Sequence, residues 1–182
     1  MLVLGIHPIG HDTSVSLIKN GKIVFAIEEE RLSKEKHSKN FPHLALQYTL
    51  KRNKIKINDI TTIAFSGDYD LHVRKRYFEY WSNIYPKNKE RVVHEIENIN
   101  KIHALHDVLR NRYKYKNHIY NCRHHLAHFA SAYFTSSFNE SALFSIDGVG
   151  DYESALSGYA KKNCIELIKG SEIAYPHSIG LV

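Results

Sequence analysis

Asn20-Gly21 is the dipeptide that most restricts what this chain can become. Both residues accept the positive φ of a tight two-residue hairpin, and they separate an apolar-rich run at 13–19 from another at 22–28. With 2–8 read as a strand, the chain opens on three consecutive antiparallel strands. Phe41-Pro42 then starts a helix running to about Asn53, with Leu44, Ala45, Tyr48 and Ile55 as its apolar side. The continuous apolar run 60–66 follows as a buried, parallel strand. The order is β-β-β-α-β.

From Asp68 to Lys116 the pattern turns polar and helical, with aromatics at Tyr77, Phe78, Tyr80, Trp81 and Tyr85, and reads as a helical insertion. Ile119-Tyr120 marks a short strand, and a helix is expected from about Arg123 to Phe134. A second three-strand meander follows: Ala142 to Ile146, a glycine-bearing turn, Ser154 to Ala160, then Ile165 to Ile168. This divides the chain into a first lobe at 1–137, carrying the insertion at about 68–116, and the opening meander of an incomplete second lobe at 138–182.

Composition narrows the class. At 182 residues with 43% hydrophobic and 24% charged residues, the chain is globular, with no repeat or low-complexity run. The apolar start Met1 to Ile6 lacks a basic prelude and is too short for a signal-peptide core, so a cytoplasmic protein without a membrane span is expected. Cys122 and Cys164 are too few for a disulfide framework and are expected as buried reduced thiols. The net charge of +6 draws on Arg74-Lys75-Arg76 and on the tyrosine-interleaved stretch Arg110 to Lys116. Such a stretch can track a nucleic-acid backbone, although solvated helix faces are the favoured reading, and attraction of an anionic nucleotide suits the basicity as well.

Three segments carry potential chemistry. On a helix, His124 and His128 project from one face and can grip one cation, with a carboxylate and substrate oxygens completing the shell. The plainer reading is one core histidine and two solvent-facing ones, and His125 replaces His124 as ligand if the helix begins later. The segment lacks the Glu of a His-Glu-x-x-His zinc peptidase, which removes that class. Gly10-His11-Asp12-Thr13-Ser14 follows the first strand; His11 can take a proton from an attacking hydroxyl, with Asp12 orienting it or touching a cation, unless the segment merely closes a turn. Asp147-Gly148-Val149-Gly150-Asp151 reads as a turn whose glycines let the backbone approach phosphate oxygens, so Asp147, Gly148, Gly150 and Asp151 are the expected nucleotide contacts. His103 and His106 share helical spacing and are read as ordinary residues of the insertion. Glu28-Glu29-Glu30-Arg31 is read as largely solvated, with Lys36 and His37 lining a substrate mouth.

Taken in order, Gly5-Ile6-His7-Pro8-Ile9-Gly10-His11-Asp12, Ala26 to Ser33 with Lys36-His37, His124-His125-Leu126-Ala127-His128, Asp147-Gly148-Val149-Gly150 and Tyr175 to Gly180 resemble the O-carbamoyltransferases of the nodulation-protein and antibiotic-tailoring type. That resemblance implies an α/β fold: a ribonuclease-H-like lobe of the actin, sugar-kinase and Hsp70 superfold, with a mixed sheet, helices on both faces, and a second lobe only begun. It implies transfer of a carbamoyl group from carbamoyl-adenylate, made from ATP and carbamoyl phosphate, to an acceptor hydroxyl of a sugar or natural product. His11 is then the base, His124 and His128 hold a divalent metal, iron by resemblance, and a further Asp ligand lies in a C-terminal half that this sequence lacks. The chain alone is therefore expected to be inactive, with small-molecule and nucleotide partners rather than nucleic acid. Threonylcarbamoyl transfer to tRNA, with residues 110–116 as the RNA contact, is the competing enzymatic reading. A non-enzymatic nucleotide- or metal-binding module is the other.

Overall fold

A computed structural model describes residues 1–68, 100, 104–174 and 177–181. Most of the expected insertion, including Arg74-Lys75-Arg76, the aromatic run from Tyr77 to Tyr85 and His103, lies outside the described residues, as do Tyr175, Pro176 and Val182. The described residues fall into two compact units, 1–66 with 100 and 104–121, and 67–68 with 122–174 and 177–181.

The first unit is built on a five-stranded mixed sheet in the order β3-β2-β1-β4-β5. Its strands are β1 (Leu2–His7), β2 (Ser14–Lys19), β3 (Lys22–Glu28), β4 (Thr62–Phe65) and β5 (His118–Asn121). β1 to β3 run antiparallel, Asn20 and Gly21 taking φ of 50° and 79° at the hairpin, while β4 and β5 join parallel to β1. Period-two alternation sends Leu4, Ile6, Val15, Leu17, Ile63 and Phe65 into one core, each at most 1% exposed. Each such side chain contributes about 1.5–3 kcal/mol by leaving water.

Helix α1 (Glu30–Ser33) is a single turn, and α2 (His43–Arg52) packs on β2 and β3. The buried face of α2 differs from the expected one. Ala45, Leu46 and Thr49 point inward, whereas Leu44 and Tyr48 stay about two-fifths exposed. Glu29, read from sequence as solvated, sets that register: buried, its carboxylate accepts the backbone N–H groups of Leu44 (3.0 Å) and Ala45 (2.7 Å) in the first turn of α2.

In the second unit, β6 (Glu140–Gly150), β7 (Glu153–Lys161) and β8 (Cys164–Leu167) form an antiparallel meander, and β9 (Ile173–Ala174) pairs with the start of β7. Helix α3 (His124–Tyr133) packs on β6 and β7, where Phe129 fills the space left by Gly158. The expected boundary near residue 137 therefore does not coincide with the compact units: the histidine helix groups with the second sheet, and the chain passes between units at Asn121 and Cys122. Nor are both thiols buried, since Cys122 is intermediate and Cys164 exposed; both are free.

Candidate functional site

Two clusters of titratable side chains stand out, one in each unit. In the second unit, α3 begins at His124, whose backbone N–H donates to Asp151 Oδ2 at 2.7 Å. Just before it, Arg123 forks onto the fully buried carboxylate of Glu153, through Nε to Oε2 at 2.7 Å and through Nη2 to Oε1, and also reaches the Tyr152 hydroxyl. His125 faces the interior, fully buried, with Nδ1 2.8 Å from Ser145 Oγ and Nε2 3.2 Å from the Glu153 carbonyl. The carbonyl can only accept, so Nε2–H donates to it and Nδ1 accepts the serine hydroxyl. These contacts fix the rotation of α3 and turn His124 and His128 outward.

The outward rings converge. His124 Nε2 lies 2.9 Å from His128 Nε2 and 2.9 Å from Asp147 Oδ2, and His128 Nε2 lies 3.4 Å from the same oxygen. Two ring nitrogens and a carboxylate oxygen at those separations are close enough for one transition-metal ion to reach all three with bonds of about 2.0–2.2 Å. The Asp147 side chain is fixed in a ligating orientation. Its Oδ1 accepts the Gly148 N–H at 2.6 Å, its carbonyl accepts the Ser178 hydroxyl at 2.9 Å, and Oδ2 is left to the histidines. Burial pushes the Asp147 carboxyl up, but the His124 hydrogen bond, the Gly148 N–H and the neighbouring imidazoles outweigh it and keep it below the ordinary value. Partial burial, then the facing His124, push His128 down, favouring the neutral form a metal needs.

The structure redistributes the residues expected to meet a nucleotide. β6 continues through Gly150 with a register break after Ile146, and the reversal falls at Asp151, where φ is 55°. Asp147 joins the histidines. Asp151 is buried and accepts backbone N–H groups of His124 and Asp68. Gly150 is required by the His124 ring, which a Cβ there would strike at 2.0 Å. Cys122, beside this cluster, is no nucleophile, because burial raises its thiol to about 11.

In the first unit, His11 Nδ1 sits 2.7 Å from Asp12 Oδ2, the orientation expected of a base and its orienting carboxylate. His37 Nδ1 occupies the other oxygen at 2.9 Å. The hydrogen bond from His11, then that from His37, hold the Asp12 carboxyl below the ordinary carboxylate range. His106 is structural, stacked on Phe65 and bonded to Asn121. The basic tyrosine stretch is also structural. Tyr115 is buried, its hydroxyl on the carbonyls of Ile60 and His118, and Arg110 donates to the carbonyls of Tyr115 and Asn117. Arg112 donates to His43 Nε2 at 3.0 Å.

Sequence reasoning missed Arg123, Glu153, Glu29 and the link from His37 to Asp12. Even Glu29 acts 15 and 16 residues away, on the N–H groups of Leu44 and Ala45. The others pair residues far apart in sequence.

Comparison with known proteins decides the family: residues 2–182 match the model of the carbamoyltransferase N-terminus. The chain belongs to that family. It is 29% identical to the uncharacterized protein sll1178 of Synechocystis sp. over 99% of this chain and 30% of that protein. It is 30% identical to the uncharacterized protein MJ1051 of Methanocaldococcus jannaschii over 94% of this chain and 27% of that one. The nodulation protein NolNO of Sinorhizobium fredii matches at 29% identity over 80% of this chain and 21% of its own length. The chain thus spans less than a third of these relatives. Among solved structures, YeaZ from Pseudomonas aeruginosa superposes with a TM-score of 0.51 at 14% identity, covering 94% of this chain and 65% of that one. This carbamoyltransferase N-terminal domain therefore has the expected mixed-sheet, ribonuclease-H-like fold of the actin and Hsp70 group. No helix among the described residues is long and apolar enough to cross a membrane.

Proposed function

We propose that this carbamoyltransferase N-terminal domain supplies the hydroxyl-activating base and a metal centre for transfer of a carbamoyl group from carbamoyl-adenylate to an acceptor hydroxyl. The observation carrying the reading is the convergence of His124, His128 and Asp147 on one point. Their nitrogen-and-oxygen donor set suits iron, zinc or manganese, and iron is the metal the family resemblance favours. Bound there, such an ion supplies Lewis-acid stabilisation of negative charge on a carbonyl or phosphate oxygen.

The remaining chemistry belongs to the chain. His11, with Nδ1–H on Asp12, leaves Nε2 as an open proton acceptor. The acceptor hydroxyl gives its proton to Nε2 as its oxygen attacks the carbamoyl carbon. The bond from that carbon to the adenylate oxygen breaks, and AMP departs with the electron pair. A phosphate leaving group needs no protonation, so one base suffices. The nucleotide contacts expected at Asp147, Gly148, Gly150 and Asp151 stand within this reading; because the chain spans less than a third of its relatives, a further metal ligand and most of the adenosine pocket are assigned to a longer protein, and the chain alone is expected to be inactive.

Metal analysis after incubation with ferrous, manganous or zinc ion and desalting tests the reading. One ion per chain is expected, lost in His124→Ala, His128→Ala and Asp147→Ala and kept in His11→Ala. Equal metal content in all four variants would remove the metal centre.

A further inference from the structure

His37 is separated from Asp12 by 25 positions, yet the two share a hydrogen bond on the side of the carboxylate opposite His11. An ionised carboxylate only accepts, so both imidazoles present Nδ1–H to it and leave Nε2 open. The arrangement is not local chance. Asp12 and His37 both take left-handed backbone, with φ of 60° and 55°, which costs free energy for residues other than glycine and persists only where surroundings enforce it.

Those surroundings are visible. The His37 N–H donates to Glu30 Oε2 at 2.9 Å. Thr13 places its N–H and its hydroxyl on the Ser38 carbonyl, each at 3.4 Å, and the Glu29 N–H donates to the Thr13 carbonyl at 2.8 Å. On the far side, His7 places Nε2 3.2 Å from the His11 carbonyl and Nδ1 2.7 Å from Ser66 Oγ. Three separate stretches of chain are laced together around one carboxylate.

We propose that His37 is a positioning residue for His11: by occupying Asp12 Oδ1 it fixes the carboxylate, which in turn holds His11 in the Nδ1–H tautomer with Nε2 facing outward. The proposal rests on the reading of His11 as the base. His11 is 79% exposed and Asp12 39%. An exposed pair gains little by itself, because side-chain entropy and solvent compete with it. A second donor on the opposite oxygen removes the rotation by which Asp12 would trade one oxygen for the other. Asp12, Glu30 and His37 also bring ligand-type atoms within 4.8 Å of one another. His11 and His37 bond to opposite oxygens of that carboxylate, whereas the ring nitrogens of His124 and His128 face each other at 2.9 Å.

Long-range proton–nitrogen correlation spectra of the 182-residue chain, recorded at about pH 8, read the tautomer directly. His37→Gly and His37→Asn both tolerate the left-handed backbone, and only asparagine restores a donor near Nδ1. In the native chain His11 is expected as Nδ1–H. In H37G it should shift toward the Nε2–H form that an unconstrained histidine side chain prefers in water, and in H37N it should stay. Asp12→Asn should release both rings. An unchanged His11 tautomer in H37G, or the same shift in H37N, would overturn the proposal. So would selective broadening of the His37 signals by substoichiometric manganous ion, which would make the cluster a cation site. Because no substrate is involved, failure here leaves carbamoyl transfer untouched; failure of that reading would show instead as undiminished transfer by His11→Ala in a longer polypeptide.

Discussion

Gly150 exists for His124: a Cβ at position 150 would lie 2.0 Å from Cδ2 and 2.4 Å from Cγ of that ring. Both atoms belong to the ring itself, so no rotation of a flexible end relieves the overlap. His124 must leave its place opposite His128 and Asp147, or β6 must move.

Gly150→Ala is therefore expected to weaken metal binding by at least about tenfold, as misplacing a ligand generally does, and to cost about 1–3 kcal/mol through overpacking. Competition titration with a chromophoric chelator measures the first and urea unfolding the second. Unchanged affinity would separate the glycine from the metal centre.

Neighbouring histidines of α3 should respond in opposite ways. His125→Ala strands the Ser145 hydroxyl and the Glu153 carbonyl and opens a cavity, a loss of about 2–4 kcal/mol of stability. His128→Ala, at a half-exposed position, should change stability by less than about 0.5 kcal/mol while abolishing metal uptake. Urea midpoints of the two variants compare them, and equal losses would contradict the division between inner and outer rings.

Acidification should destabilise the first unit through His43. Burial first, then the Arg112 charge, lower its pKa below the ordinary 6.5. Between the lowered value and 6.5 the unfolded chain binds a proton that the folded chain refuses, so this contribution is fully present above that window and is lost as pH falls through it. His43→Gln, which keeps an acceptor for Arg112, should flatten the fall in stability between about pH 7 and pH 5. Chemical unfolding across that range reads the slope, and parallel profiles would exclude His43 as the source.

The opening antiparallel meander was legible because Asn20-Gly21 and period-two alternation are local signals. The histidine pair was legible because four residues make a helical turn. Which of three adjacent histidines faces inward was not, since that depends on Ser145 and the Glu153 carbonyl, more than a dozen residues away. The apolar face of α2 was misjudged for a similar reason. Leu44 and Tyr48 look like core by composition, but the buried Glu29 carboxylate fixes where the first turn sits. Glycines near an aspartate resemble a phosphate loop, and only the folded chain shows a ring filling the room Gly150 leaves.

Arg123 and Glu153, the ion pair at the root of α3, hold the helix from its buried side, apart from the outward ring nitrogens of His124 and His128. On the proposed reading, that separation makes the ligand set exchangeable. Replacing the carboxylate at position 147 with a third imidazole, or a histidine at 124 or 128 with a thiol, would retune the preference among metals while the scaffold stays put. On the proposed reading, such a centre is free to change its ion without the chain first having to relearn how to fold.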